Sequence, residues 1–191
     1  MIKKYNIVFL DFDGVLSGIK LRRWKHLDYS LDEELKGVLS KRIDKYPEGW
    51  EHFDNDIFYD KIQILIEALN LIPDMKIVLS TSWRKLKMVH HFDFVFKQKP
   101  EWNFDIIGRT GNDPYGKRGH EIDNWLELNK SIVQNYFIIG DETCDMLPKQ
   151  NSRIIKTSVN YGICKKDILK IKRIIKEDNK CIDISNNQIT K

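Results

Sequence analysis

Two aspartates two residues apart, Asp11 and Asp13, follow a short apolar run and precede Gly14. After a buried strand, that spacing turns both carboxylates into one cleft, which is costly unless a cation lies between them. Hard oxygen ligands of this kind suit Mg2+. Gly14 would let the chain turn sharply away from the strand. A strand followed by an ordinary Asp/Gly turn is the plain alternative. A second run, residues 77–79, leads into Ser80, Thr81 and Ser82, then Trp83 and Arg84. Hydroxyls at a strand end before a helix make a phosphate cradle through side-chain O–H and free backbone N–H groups. The same residues also serve as ordinary helix caps. Arg84 would reach substrate or cleft carboxylates, or make a structural pair. Further on stand Lys117 and Arg118 at the start of a helical pattern, where the helix dipole disfavours cations. A last buried run ends in Gly140-Asp141, with Asp145 four residues later. Asp141 and Asp145 would complete a metal site with Asp11, or form a simple acidic loop.

These residues need a scaffold that brings strand ends together. Five short apolar segments are candidates: 5–10, 76–79, 104–107, 136–139 and 153–156. They are rich in Ile, Val and Phe without clean alternation, as in parallel strands covered on both faces. Helical periodicity lies between them. Ile57, Ile62, Leu65, Ile66 and Leu69 share one side of a helix, as do Ile122, Trp125 and Leu126. Ile168, Ile171, Ile174 and Ile175 repeat the pattern near the C-terminus. Alternation of this kind predicts a doubly wound α/β domain with a parallel sheet of about five strands. Its ligand would sit at the carboxyl ends of the strands. Trp125 lies at core spacing and reads as packing. Residues 18–56 break the alternation and read as a small cap-like insertion after the first strand. Residues 179–191 are polar and Asn-rich, and read as a loose tail to a single domain over 1–178.

The length of 191 residues suits one domain. A formal charge of +4 is mild: it would draw in a phosphorylated substrate without demanding nucleic acid. Three cysteines, Cys144, Cys164 and Cys181, have no paired spacing, so neither a disulfide framework nor a zinc site is indicated. A reduced, cytoplasmic chain is the simplest expectation. No apolar run is long enough for a membrane span. The basic, apolar N-terminus runs directly into two aspartates and reads as a buried strand rather than a signal peptide.

In their order along the chain, these motifs resemble the haloacid dehalogenase (HAD) superfamily. Its pattern is Asp-x-Asp after strand one, Thr or Ser after strand two, a Lys or Arg, and a late acidic motif such as Gly-Asp-x-x-x-Asp. The chain supplies Asp11 and Asp13, Thr81 with Ser80 as rival, Lys117 or Arg118, and Asp141 with Asp145. Ser80-Thr-Ser-Trp-Arg84 and Arg118-Gly-His-Glu-Ile-Asp-Asn-Trp-Leu126 narrow the likeness. They resemble the subgroup found alone or attached to RNA-repair proteins. In that subgroup the late motif often begins Asp-Asp, whereas this chain has the wider superfamily's Gly140-Asp141.

The resemblance implies a Mg2+-dependent phosphomonoester hydrolase. Asp11 would attack phosphorus and Asp13 would act as general acid and base. Thr81 would hydrogen-bond the phosphoryl group. Arg118, preferred over Lys117 because the subgroup places a basic residue before Gly-x-Glu-Ile, would stabilise its charge. Mg2+ would be held by Asp11, the Asp13 carbonyl and Asp141, with Asp145 orienting the metal shell through water. Lys20, Arg22, Arg23, Lys25 and His26, interleaved with Trp24, would hold a nucleotide or nucleic-acid end, or form a solvated face. The expected partner is thus a phosphorylated small molecule or a polynucleotide 3′-phosphate. A non-catalytic phosphate- or nucleic-acid-binding domain that retains the fold is the alternative. Polynucleotide kinase chemistry is not supported, because no Gly-x-x-x-x-Gly-Lys-Ser/Thr loop is present.

Overall fold

A computed structural model describes residues 2–18, 59–82, 89–97 and 99–189. It contains a five-stranded parallel sheet flanked by helices on both faces. In chain order the elements are β1 (Tyr5–Leu10), α1 (Tyr59–Leu69), β2 (Met75–Leu79), α2 (Val89–Phe96) and β3 (Ile106–Arg109). There follow α3 (Arg118–Leu128), β4 (Val133–Gly140), a 3-10 turn (Pro148–Arg153), β5 (Ile154–Lys156) and α4 (Lys165–Ile189). The sheet order is β3-β2-β1-β4-β5. The chain winds outward from β1 to β3 and returns to lay β4 on the other side of β1. The switch point, where such sheets bind ligands, therefore falls between β1 and β4.

Side-chain alternation along the strands divides the core in two. Val8, Leu10, Ile77, Leu79, Phe137 and Ile139 pack on one face with α1, α2 and α4 residues such as Leu65, Phe92 and Ile171. Ile7, Phe9, Val78 and Ile138 face the other way, against Ile122 of α3. Trp125 packs there too, edge-on to Phe9 with ring centroids 5.5 Å apart. Because helices cover both faces, the strands carry apolar residues at nearly every position, which is why their sequence lacks polar alternation.

Two sequence expectations change. The third strand lies at Ile106–Arg109, two residues later than the run at 104–107. Phe104 instead packs edge-on to Trp102, centroids 5.1 Å apart, and Gly108 and Arg109 pair with Val78 and Leu79. Packing against the core draws the aromatic out of the ladder. Secondly, the stretch expected as a loose tail continues α4 through Ile189. Residues 179–189 contain neither Gly nor Pro, so nothing in the sequence breaks the helix. The expected insertion, apart from its first residue Gly18, lies outside the described residues, as do Trp83 and Arg84. Among the described residues no helix is long and apolar enough to cross a membrane.

Register positions the chemistry. Leu10 pairs with Leu79 on one side and Ile139 on the other, so the three central strands end level. Asp11, Ser80 and Gly140 therefore emerge side by side at one edge of the sheet.

Candidate active site

The first acidic loop is anchored from within. Phe12, between the two aspartates, is 1% exposed and sits edge-on to Phe92 and Phe96 of α2, at 4.8 and 5.5 Å between centroids. Burying that ring on one side of the loop leaves the flanking carboxylates on the other. Asp11 is itself buried, held by its N–H on the Ile139 carbonyl at 3.0 Å. Its Oδ1 accepts the Phe12 N–H at 2.7 Å, and its Oδ2 accepts a hydrogen bond from Arg118 Nη1. Gly14 then turns the chain with φ 62°, and a Cβ there would stand 2.2 Å from the Asp141 carboxyl. Only glycine allows the turn to lie this close to the second acidic loop.

Electrostatics follow from that burial. Desolvation pushes the Asp11 carboxyl up to about 6, against the pull of Arg118 and the Phe12 N–H, and the nearby Asp141 charge adds to the rise. Asp141 is likewise raised by burial, while Arg118 draws it down and Glu142 and Asp13 push it up. Burial also opposes the charge on Arg118. The paired Asp11, with Asp145 and Asp141 nearby, overrides it and holds the guanidinium above its ordinary value. The result is a guanidinium set among several carboxylates, with acidic repulsion left over.

Arg118 is the first residue of α3, an unfavourable place for a cation. Asp145 offsets this from the loop after β4. Its Oδ2 accepts the Arg118 N–H at 3.1 Å and its carbonyl accepts the Gly119 N–H at 3.1 Å. Gln150 completes the junction, donating to the Gly119 carbonyl at 2.9 Å and accepting from the Leu147 N–H at 2.9 Å. A Cβ at Gly119 would fall 2.6 Å from the Leu147 nitrogen, so α3 and the late loop meet without a gap.

Of the residues expected from sequence, Asp11, Gly14, Arg118 and Asp141 converge. Asp13 lies in the same turn and Asp141 feels its charge. Ser80 and Thr81 are buried at the end of β2; Ser80 Oγ has no hydrogen-bond partner among the described residues. Ser82 is exposed. Lys117 is exposed at the N-cap of α3; its backbone N–H donates to Asp113 Oδ2 at 3.1 Å and its carbonyl accepts the His120 N–H at 3.1 Å. Asp145 caps α3 through Oδ2, while its buried Oδ1 has no hydrogen-bond partner among the described residues.

Among the described residues no three His, Cys, Asp or Glu side chains gather as a metal-holding set. Arg118 engages Asp11, and Asp145 is drawn to the helix end. What remains is a pair of carboxylates, Asp11 and Asp141, beside the Gly14 turn that Asp141 nearly touches. Two hard oxygen donors with uncompensated repulsion fit a divalent cation such as Mg2+, provided a backbone oxygen supplies the third contact.

Sequence reasoning missed Phe12 as an anchor and Thr157, whose Oγ1 donates to the Gly14 carbonyl at 2.5 Å. Phe12 was visible as the large apolar residue between two acids. Nothing in the local sequence marks Thr157, which meets Gly14 only in the folded chain.

Comparison with known proteins agrees with this architecture. A family model described as the HAD domain in Swiss Army Knife RNA repair proteins matches residues 7–168. The chain belongs to that family. The match runs from β1 into α4 and takes in Asp11, Ser80, Thr81, Arg118 and Asp141. Among solved structures, this HAD-family chain is similar to the HAD domain of the effector protein Lem4 from Legionella pneumophila. The identity is 18%, the coverage 92% of this chain and 94% of that one, and the TM-score 0.43. No curated protein matches.

Proposed function

We propose that the chain is a Mg2+-dependent phosphomonoester hydrolase in which Asp11 is the nucleophile. The observation that carries this reading is the Asp11 carboxylate itself. It is buried at the switch point, joined to Arg118 and set against Asp141. A desolvated carboxylate beside a cation and a second carboxylate, its pKa pushed up to about 6 by burial, is the kind of environment in which catalytic carboxylates are found.

In the first half-reaction an Asp11 oxygen bonds to phosphorus as the bond to the leaving oxygen breaks, and Asp13 gives that oxygen a proton. In the second, Asp13 takes a proton from water, whose oxygen bonds to phosphorus and releases Asp11 and inorganic phosphate. Arg118 passes from Asp11 toward the phosphoryl oxygens as charge gathers there. The hydroxyl at the end of β2, Thr81 with Ser80 beside it, donates to the same group. Asp11, Asp141 and the Asp13 carbonyl would hold Mg2+. Bound there, the ion supplies charge neutralisation between nucleophile and phosphate.

For substrate we favour a nucleotide or a polynucleotide 3′-phosphate end. The family's association with RNA repair supports this. So does the loop before α3, where Tyr115 is 87% exposed two residues from exposed Lys117. Asp113 Oδ2 accepts the N–H groups of both, at 2.9 and 3.1 Å, so the loop is ordered while the tyrosine ring is open to stacking.

Phosphate release from an aryl phosphate and from a 3′-phosphorylated oligonucleotide, with and without Mg2+, tests the reading. Turnover that needs Mg2+ and disappears in Asp11→Asn supports it. Oligonucleotide binding without phosphate release from either compound would make the chain a binding domain instead.

A further inference from the structure

One buried hydroxyl outside the familiar motifs touches both acidic loops. Thr157 follows β5 and is 6% exposed. Its N–H donates to the Gly140 carbonyl at 2.9 Å, immediately before Asp141. Its Oγ1 donates to the Gly14 carbonyl at 2.5 Å, in the turn that follows Asp13. Threonine side chains usually bond to nearby backbone, whereas this one reaches 143 residues back along the chain.

The surrounding segment keeps Thr157 seated. Ser158 and Gly162 form a bridge, and the Ile163 N–H donates to the Val15 carbonyl at 2.7 Å. A Cβ at Gly162 would fall 2.4 Å from that carbonyl oxygen, and one at Gly18 would fall 2.2 Å from the Asn160 carbonyl oxygen. Residues 157–163 are thus pressed along residues 14–18. The two acidic loops are pressed together as well, since a Cβ at Gly14 would strike the Asp141 carboxyl.

We propose that Thr157 is a positioning residue that brackets the two acidic loops, and that the separation it sets between them governs their affinity for a divalent cation. This rests on the phosphatase reading for the role of that cation. The bracket acts at second hand: it orients Gly14 and Gly140, and they carry the carboxylates.

The test compares wild type with Thr157→Val, which keeps the shape and loses the donor, and Thr157→Ser, which keeps the donor. Thr157→Ala, smaller than either, repeats the loss should valine impair folding. Mg2+ affinity is read by titration calorimetry on protein shown to be folded by circular dichroism, beside the Mg2+ concentration that half-saturates phosphate release. Thr157→Val should bind Mg2+ roughly 10- to 100-fold more weakly, the usual effect of removing an outer-shell support, and Thr157→Ser should restore most of it. A merely structural hydroxyl would lower the unfolding midpoint and leave Mg2+ affinity unchanged, and that result overturns the proposal. Equal losses in the valine and serine variants overturn it too, as does a wild type that binds no Mg2+. Wild-type turnover separates the two readings. Turnover with unaltered Mg2+ affinity in Thr157→Val defeats the bracket alone, and Mg2+ binding lost in that variant without wild-type turnover defeats the phosphatase alone.

Discussion

Replacing Asp11 should make the metal-free protein more stable at neutral pH, in a way that depends on pH. Asp11 is 3% exposed, and its pKa stands at about 6 against an ordinary 3.8. Between these values the folded chain holds a proton on Asp11 that the unfolded chain has released. Stability therefore falls as pH rises through that window. Each tenfold change in proton affinity is worth about 1.4 kcal/mol, so the whole gap amounts to about 3 kcal/mol by pH 7. Asp11→Asn substitutes a neutral amide of nearly the same shape and escapes that cost. Urea unfolding of both proteins in EDTA, from pH 4 to 7.5, measures it. The two should be nearly equal at pH 4, with the variant gaining up to about 3 kcal/mol by pH 7, or about 6 to 12 °C in melting temperature. A difference that does not change with pH, or a wild type that is the more stable at pH 7, would refute the claim that Asp11 is held charged at a cost.

Three further outcomes follow from the geometry. Arg118→Met should lower phosphate release by about 10²- to 10³-fold, the usual loss on removing a donor to transition-state charge. Lys117→Met, at an exposed position, should leave stability within about 0.5 kcal/mol and an aryl phosphate turned over nearly as well as by wild type; steady-state kinetics on the pair decides which cation serves the site. Gly14→Ala combines a left-handed backbone, φ 62°, with a Cβ 2.2 Å from the Asp141 carboxyl. It should destabilise the fold by about 1–3 kcal/mol and abolish turnover, measured by urea unfolding and phosphate release. A fully active alanine variant would mean that the two acidic loops are not pressed together.

Much of the architecture is legible locally because it depends on local periodicity. Runs such as Ile7–Leu10 and Ile77–Leu79 announce buried strands by their lack of polar alternation, and both are fully buried. The spacing of Ile122 and Trp125 announces the face of α3 that packs on Phe9 and Ile138. Asp11, Ser80 and Asp141 fall next to one another because strand ends in a parallel sheet lie along one edge, and the sequence marks strand ends. The third strand misled because an aromatic run signals burial as readily as pairing, and Phe104 is packed rather than laddered.

By itself the sequence determined the parallel α/β class, the strand-end placement of the acids and hydroxyls, and two adjacent cations of which one would serve the site. The subgroup resemblance favoured Arg118 over Lys117, and the tertiary structure shows which of the two meets Asp11. Arg118 reaches Asp11 while Lys117 stays in solvent, because the helix start that Asp145 caps turns one toward the cleft and the other away. It alone set Asp145 Oδ2 on the Arg118 N–H, and it alone joined Thr157 to Gly14. The physical reason is common to all three: a contact between residues far apart in the chain carries no periodicity, and exists only once the sheet has fixed which strand ends meet.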